Sequence, residues 1–163
     1  MDVQAIFGVQ FVLSLVVWAL IAAWLLAPWL AKKSRYEALF WLTLPHAFRH
    51  VGLVFLVPGV VAQPLPEAFA DPAAYGDLLT GVLALFAIIA LRTGWAGALG
   101  LVWVFNIVGT VDLLNALRHT TVAPDFGAAW YIPTFFVPLL LVTHFMIYTR
   151  LLKRQPAGRG EAE

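Results

Sequence analysis

The sequence has 163 residues, of which 62% are hydrophobic and only 12% are charged, and its formal net charge is +1. A soluble domain is typically about 45–50% apolar and about 25% charged, so this composition excludes a soluble globular domain and indicates a membrane-embedded one. The low net charge gives no basis for nucleic-acid binding, and the lack of cysteine excludes disulfides, thiolate metal sites and cysteine nucleophiles.

The first two predicted helices are long apolar runs. A helix that crosses the hydrocarbon core of a bilayer needs roughly 20 mostly apolar residues. Residues 3–31 carry no charge, and residues 38–62 carry only Arg49. The segment Gln-Pro-Leu-Pro at 63–66 ends the second helix, because each proline lacks a donor and restricts the residue before it.

Three more spans follow along the chain. Asp71 and Pro72 form a typical helix-start pair, with aspartate as N-cap and proline as first helical residue, so the third span is predicted at 72–92. The fourth and fifth spans are predicted at 95–117 and 128–152. The sequence therefore predicts an all-α, integral membrane bundle of five transmembrane helices, formed as a single domain of residues 1–154.

Basic residues concentrate on one side of this topology. With the N-terminus outside, the inner side holds the following eight: Lys32, Lys33, Arg35, Arg92, Arg150, Lys153, Arg154 and Arg159. The outer side holds only Arg118. The positive-inside rule therefore predicts an outer N-terminus and a cytoplasmic C-terminus, with residues 155–163 as a disordered cytoplasmic tail. The predicted location is a multi-pass cell membrane protein, of the bacterial inner-membrane type, with the lipid bilayer as partner.

A few polar side chains fall inside the predicted spans. An ionisable residue within a bilayer is costly unless it faces the bundle interior or water, so each one is a candidate functional residue. The candidates are His46, Arg49 and His50 in the second span, Asn106 and Asp112 in the fourth, and His144 in the fifth. At 100° per residue, the first three lie on one helical stripe. Asp77 is interpreted as an acidic residue near the outer surface that favours the helix dipole.

The leading functional hypothesis is a pocket for a small apolar or amphipathic molecule with one polar or anionic head. The walls of such a pocket are apolar and aromatic, and imidazoles near neutral pH serve isomerase-like acid–base chemistry. The predicted acid–base residues are His46, His50 and His144, and the predicted ligand-binding residues are Arg49, Asn106, Asp112 and Trp103. Whether the protein is an enzyme stays open at this point.

Other interpretations of the same residues remain. His46 and His50 have the i, i+4 spacing of metal ligands, and with His144 they form a possible divalent-metal or haem site of an electron-transfer subunit. Arg49 and Asp112 form, in the structural interpretation, an ion pair that locks two helices together. A non-catalytic accessory subunit of a membrane complex, or a homo-oligomer, is a further alternative. Proton conduction is a weaker one, because the first and third spans offer few polar residues.

Overall fold

The computed structural model describes residues 1–62 and 64–153, and the predicted tail at 155–163 lies outside them. The described residues are helical without β-strands, and they include five helices long and apolar enough to cross a membrane. These helices are α1 (Val3–Ala31), α2 (Arg35–Leu56), α3 (Glu67–Thr93), α4 (Ala98–Asp125) and α5 (Gly127–Leu152). The predicted number of helices and the all-α class are confirmed.

The second helix changes type along its length. It is α-helical over Arg35–Thr43 and continues as a 3₁₀-helix over Leu44–Leu56, so it ends earlier than the predicted 38–62. Pro45 lies in the first turn of the 3₁₀ segment, directly after the change of helix type. A 3₁₀-helix rises about 2.0 Å per residue against about 1.5 Å for an α-helix, so α2 is longer than its residue count suggests.

The start of the third helix differs from the prediction. Helix α3 begins at Glu67 after Pro66, and Pro72 lies inside it, so Asp71 and Pro72 do not form the helix start. Glu67 places a negative charge in the first turn, where the helix dipole favours it. The predicted C-terminal end is confirmed, since α3 ends before Gly94, whose φ of 68° only glycine adopts readily.

Irregular turns also interrupt α4 and α5. Helix α4 is α-helical over Ala98–Ala116 and then 3₁₀ over Leu117–Asp125. In α5, a π-helical turn at Ile132–Phe136 precedes the α-helix Val137–Leu152. Pro138 lies in the first turn of that α-helix, directly after the π-helical turn.

The helices alternate in direction, and their ends differ in charge. We call one end the basic end, defined by Lys32, Lys33, Arg35, Arg92, Arg150 and Lys153. Arg35 Nη2 donates to the carbonyl of Leu151 at 2.6 Å, which fixes the start of α2 against the last turn of α5. The other end, which we call the acidic end, is defined by Asp2, Glu67, Asp71 and Asp125.

The two largest apolar clusters of the bundle lie toward its opposite ends. The cluster nearer the basic end includes Leu39, Leu42, Ala87, Val102, Phe105 and Ile147. The cluster nearer the acidic end includes Phe7, Phe55, Phe69, Val122 and Phe126. Along α2, α3, α4 and α5, the buried polar side chains come after the residues of one cluster and before those of the other. They therefore form a polar layer across the middle of the bundle.

Candidate functional site: a buried charge network

Arg49 is the centre of the polar layer. Its side chain is fully buried, and its Nε donates to Asp77 Oδ1 at 2.6 Å. Its Nη2 donates to Asp112 Oδ2 at 2.5 Å, and its Nη1 donates to the carbonyl of Gly109 at 3.0 Å. The predicted ion pair between Arg49 and Asp112 is present. One guanidinium therefore connects α2, α3 and α4.

Asp77 is the second carboxylate of the network, and it is not near the surface as the sequence interpretation placed it. It is 9% exposed. Because α3 begins at Glu67, Asp77 lies ten residues into the helix, or about 15 Å from its start. The signal that identifies it is the Pro66-Glu67 pair, which starts the helix five residues before the Asp71-Pro72 pair.

His144 and Asn106 extend the network to α5. His144 Nδ1 lies 2.7 Å from Asn106 Oδ1, and Asn106 Nδ2 donates to the backbone carbonyl of His144 at 3.3 Å. Because an amide oxygen only accepts, Nδ1 carries the hydrogen and the Nε2 lone pair faces the network. That Nε2 atom lies 3.5 Å from Arg49 Nη1.

His46 lies next to His144 but has fewer partners. Its Nε2 is 2.9 Å from Thr143 Oγ1, and that hydroxyl donates to a backbone carbonyl of its own helix, so His46 Nε2 is the donor of this bond. The ring centroids of His46 and His144 are 4.1 Å apart. The Nδ1 of His46 is buried and has no hydrogen-bond partner among the described residues.

The 3₁₀ geometry of α2 decides which of its polar residues reach the interior. Three residues make one 3₁₀ turn, so residues three apart share a face. His46, Arg49, Gly52 and Phe55 follow this spacing and are the four buried residues of the segment. His50 is one position off this line, and its exposed ring bonds only to the carbonyl of Ala47 at 3.0 Å. The prediction that His46, Arg49 and His50 share one face of the helix is therefore wrong for His50.

Trp103 lies beside the network and does not enter it. Its ring is 5.8 Å from that of Tyr148, and the Tyr148 hydroxyl donates to the carbonyl of Asn106 at 3.3 Å. The same hydroxyl bonds to Thr110 Oγ1 at 3.3 Å. Of the sequence-predicted site residues, the structure brings together His46, Arg49, Asn106, Asp112 and His144, and it leaves His50 and Trp103 outside.

Two glycines provide the space that the carboxylates occupy. A Cβ atom at Gly52 would lie 2.7 Å from Asp77 Cγ, and one at Gly76 would lie 2.6 Å from Asp112 Cγ. Both distances are well below van der Waals contact. Gly109 plays a similar role, because a Cβ there would meet Thr80 Cγ2 at 2.6 Å. Glycine at these positions lets the carboxylates and helices approach closely.

A small cavity lies directly against the two carboxylates, on the side of the acidic end. Its volume is about 40 Å³. Asp77 and Asp112 line it on one side, and His119 also faces it. The aromatic side chains that line it are Phe7, Phe55, Phe69 and Phe126. The rings belong to four separate parts of the chain, which is why no local sequence pattern identifies this cavity.

The three histidines predicted as metal or haem ligands do not form such a site. A haem between two axial imidazoles needs the porphyrin between the rings, and the 4.1 Å separation of His46 and His144 leaves no such space. His50 is exposed. Within the described residues, no group of three or more histidine, aspartate or glutamate side chains is placed to hold a metal ion.

Comparisons with known proteins give one family and no named relative. No curated protein and no solved structure matches the chain. A family model described as a domain of unknown function, DUF8737, matches residues 6–152. The match covers all of α2, α3, α4 and α5 and most of α1. The chain belongs to the DUF8737 family.

Proposed function

We propose that this chain is an integral membrane protein whose bundle binds a small amphipathic molecule through Asp77 and Asp112. In this proposal the five helices cross a cell membrane of the bacterial inner-membrane type, with the basic end in the cytoplasm. Large apolar side chains on the outside of the bundle support insertion, among them Trp24 at 71% exposed and Leu25 at 65%. In water such a surface would be unfavourable, whereas lipid tails solvate it.

The observation that carries the ligand proposal is the composition of the 40 Å³ cavity. Its walls are aromatic and apolar, while two carboxylates line one side. An apolar cavity with a few convergent polar groups is the usual form of a small-molecule site. Arg49 lies beneath the carboxylates and does not line the cavity, so the ligand meets acidic oxygens rather than a guanidinium.

The charge of the network determines the kind of head group. One guanidinium faces two carboxylates, which leaves a formal charge of −1 in a buried layer. An uncompensated buried charge is costly, so a cation or a proton at the carboxylates stabilises the network. Aromatic faces also attract cations. The ligand head is therefore a small ammonium group, which revises the polar or anionic head expected from the sequence.

The size of the cavity limits what enters. A water molecule needs about 10–15 Å³ of such volume, so 40 Å³ holds about three waters or one small ammonium group. A longer apolar body has to extend past the phenylalanine rings. Phe55 also lines a second cavity of about 360 Å³ at the acidic end, and it therefore separates the head-group cavity from a space that fits such a body.

The cavity also contains groups for acid–base chemistry of the isomerase type. His119 lines it, with Nδ1 bonded to the carbonyl of Asn115 at 3.2 Å, so its Nε2 is the atom that exchanges a proton. Histidine is the side chain most often used for proton transfer. His46 and His144 do not line the cavity. In this proposal His144 positions Arg49 and Asn106, and His46 packs against His144. Haem and metal ions have no role in it.

The test uses the purified full chain in detergent micelles with a series of alkylammonium ions as probes. Ligands that bind only the folded state raise the midpoint of thermal unfolding. We expect butylammonium and hexylammonium to raise it for the wild type, and the uncharged alcohols of equal length to have no effect. Asp77→Asn and Asp112→Asn should abolish the shift. Asp2→Asn is the matched control, because this exposed carboxylate at the acidic end lines neither cavity and asparagine can keep its helix-capping bond to Ala5 N.

Two outcomes would overturn the proposal. One is a wild-type protein that no alkylammonium ion stabilises at millimolar concentration. The other is an equal shift in the wild type, Asp77→Asn and Asp112→Asn, which would place the cation elsewhere. Circular dichroism of each variant establishes that the helices persist, so a lost shift reports on binding.

A further inference from the structure

A second site lies on the outer surface of the bundle, away from the charge network. It is a groove of about 740 Å³ between the second halves of α1 and α5. Ala19, Ala23 and Ala27 line it on the α1 side, and Phe145 and Met146 line it on the α5 side. We call it the α1/α5 groove. Its volume lies within the range of about 300–1,000 Å³ typical of small-molecule sites.

The groove is apolar along its length and cationic at one end. Arg150 and Lys153 line the end that lies at the basic end of the bundle. The residues of α5 that line it run from Leu141 to Lys153, which corresponds to about 18 Å along a helix. One leaflet of a bilayer contributes about 15 Å of hydrocarbon. The groove therefore spans one leaflet, with its two cations at the level of the lipid head groups.

We infer that the α1/α5 groove binds an anionic phospholipid of the leaflet at the basic end. The acyl chain lies against the alanines of α1 and Phe145 of α5, and the phosphate contacts Arg150 and Lys153. Charge complementarity selects an anionic head group, since each lysine or arginine near an anionic membrane surface adds to the attraction. This inference rests on the membrane insertion in the proposed function and is independent of the ligand cavity.

A second copy of the chain fits the groove less well. Two copies inserted in the same direction and paired through this groove would bring Arg150 and Lys153 of both copies to one level. Like charges at that distance repel, and the low dielectric of the membrane boundary strengthens the repulsion. A lipid phosphate at the same position neutralises the two cations instead.

The test measures the lipid that stays bound to the full chain. The protein is reconstituted into nanodiscs of phosphatidylcholine with 30% phosphatidylglycerol, extracted into mild detergent and analysed by native mass spectrometry. We expect one phosphatidylglycerol per chain in the wild type and a loss of at least tenfold in Arg150→Gln/Lys153→Gln. Ala23→Leu/Ala27→Leu, which fills the groove and leaves the charges, should cause a similar loss.

Matched controls separate this groove from general attraction to the surface. Arg92→Gln removes a cation from the same end but on another face, beside Tyr36 and Trp41. Ala5→Leu adds one leucine of the same kind at an exposed position of α1 outside the groove. Both should retain the lipid. Excess glycerol phosphate should not displace it, because the acyl chain supplies most of the contact.

Specific outcomes contradict the inference. Equal retention of phosphatidylcholine and phosphatidylglycerol, unchanged retention in Arg150→Gln/Lys153→Gln, or a dimer that is lost in Ala23→Leu/Ala27→Leu would each overturn it. Failure of the proposed ligand cavity leaves these results unchanged, since Asp77→Asn and Asp112→Asn do not alter the groove. Protein that does not enter the nanodiscs at all would instead contradict membrane insertion.

Discussion

Arg49 Nε donates to Asp77 Oδ1 at 2.6 Å, although the two residues are 28 positions apart in the chain. This bond joins α2 to α3 in the middle of the bundle, and Asp112 joins the same guanidinium from α4. The second carboxylate changes the net charge of the network. A simple ion pair would be neutral, whereas this arrangement has one more negative than positive formal charge, which is the basis of the proposed cation site.

The first prediction is that the stability of the bundle follows the net charge of the network. Arg49→Gln leaves two unpaired carboxylates and should cost about 3–5 kcal/mol, the usual cost of breaking a buried ion pair. Asp112→Asn leaves the balanced pair of Arg49 and Asp77, and it should cost less than half as much. Reversible unfolding in mixed detergent and dodecyl sulfate micelles measures both free energies.

A triple variant provides the control for this prediction. Arg49→Gln/Asp77→Asn/Asp112→Asn removes all three charges, and it should be more stable than Arg49→Gln alone. The explanation by net charge fails if the triple variant is the least stable of the set. It also fails if Asp112→Asn costs as much as Arg49→Gln.

The second prediction concerns the close contacts of Gly52 and Gly76. Alanine at either position places a Cβ within 2.7 Å of a carboxylate Cγ. Such a contact forces the carboxylate away from Arg49, so Gly52→Ala and Gly76→Ala should each cost about 1–3 kcal/mol, as overpacked cores do. Thermal unfolding in micelles gives the comparison.

Gly100 is the matched control for these glycines. It lies in α4, and a Cβ there meets no atom within 4 Å. Gly100→Ala should therefore be neutral or stabilising by about 0.5–1 kcal/mol, because alanine loses less entropy in a helix than glycine. If all three substitutions behave alike, the contacts with the carboxylates have no energetic role.

The third prediction follows from the 3₁₀ geometry of α2. His46 is buried against Phe105 and His144, whereas His50 faces outward. His46→Ala leaves a cavity and breaks the bond to Thr143, and it should cost about 2–4 kcal/mol by analogy with other buried large-to-small changes. His50→Ala should change the free energy of unfolding by less than about 0.5 kcal/mol.

An α-helical α2 would predict a different pattern. At 100° per residue His46 and His50 lie on nearly the same face, so both alanine variants would then destabilise the protein. A spin label at position 50 gives an independent check. We expect high mobility and strong contact with lipid at that position, and a label immobilised in the interior would exclude the 3₁₀ register.

The sequence predicts the parts of this fold that depend on residue composition. Five apolar runs of sufficient length give five helices, and the cost of a buried charge brings Arg49 to Asp112. Asn106 and His144 meet for the same reason, since each polar group in an apolar interior needs a partner. These features follow from hydrophobicity, which is a property of single residues.

Residue hydrophobicity does not predict the features that depend on exact helix geometry. The predicted position of Asp77 near the surface is wrong because Asp71-Pro72 has the pattern of a helix N-terminus but lies inside α3. The predicted interior position of His50 is wrong because it follows from α-helical spacing, whereas this part of α2 is a 13-residue 3₁₀-helix, which is rare. In both cases a shift of a few residues or of 20° per residue moves a polar side chain between the surface and the interior.

The last prediction concerns orientation in the membrane. Since the chain has no cysteine, single cysteines report accessibility without a background signal. Glu67→Cys and Thr121→Cys lie at exposed positions toward the acidic end, and Ala31→Cys and Thr93→Cys lie at exposed positions toward the basic end. These four substitutions leave every basic residue in place. A membrane-impermeant maleimide applied to intact bacterial cells should label the first pair, and it should label the second pair only after permeabilisation. The reason is the concentration of lysine and arginine at the basic end, because the positive-inside rule predicts that such an end stays in the cytoplasm.

The reverse labelling pattern would place the proposed ligand cavity on the cytoplasmic side and the cationic end of the α1/α5 groove in the outer leaflet. Equal labelling of all four positions in intact cells would mean that the helices do not cross the membrane, and the exposed apolar surface of α1 would then have to be covered by another protein.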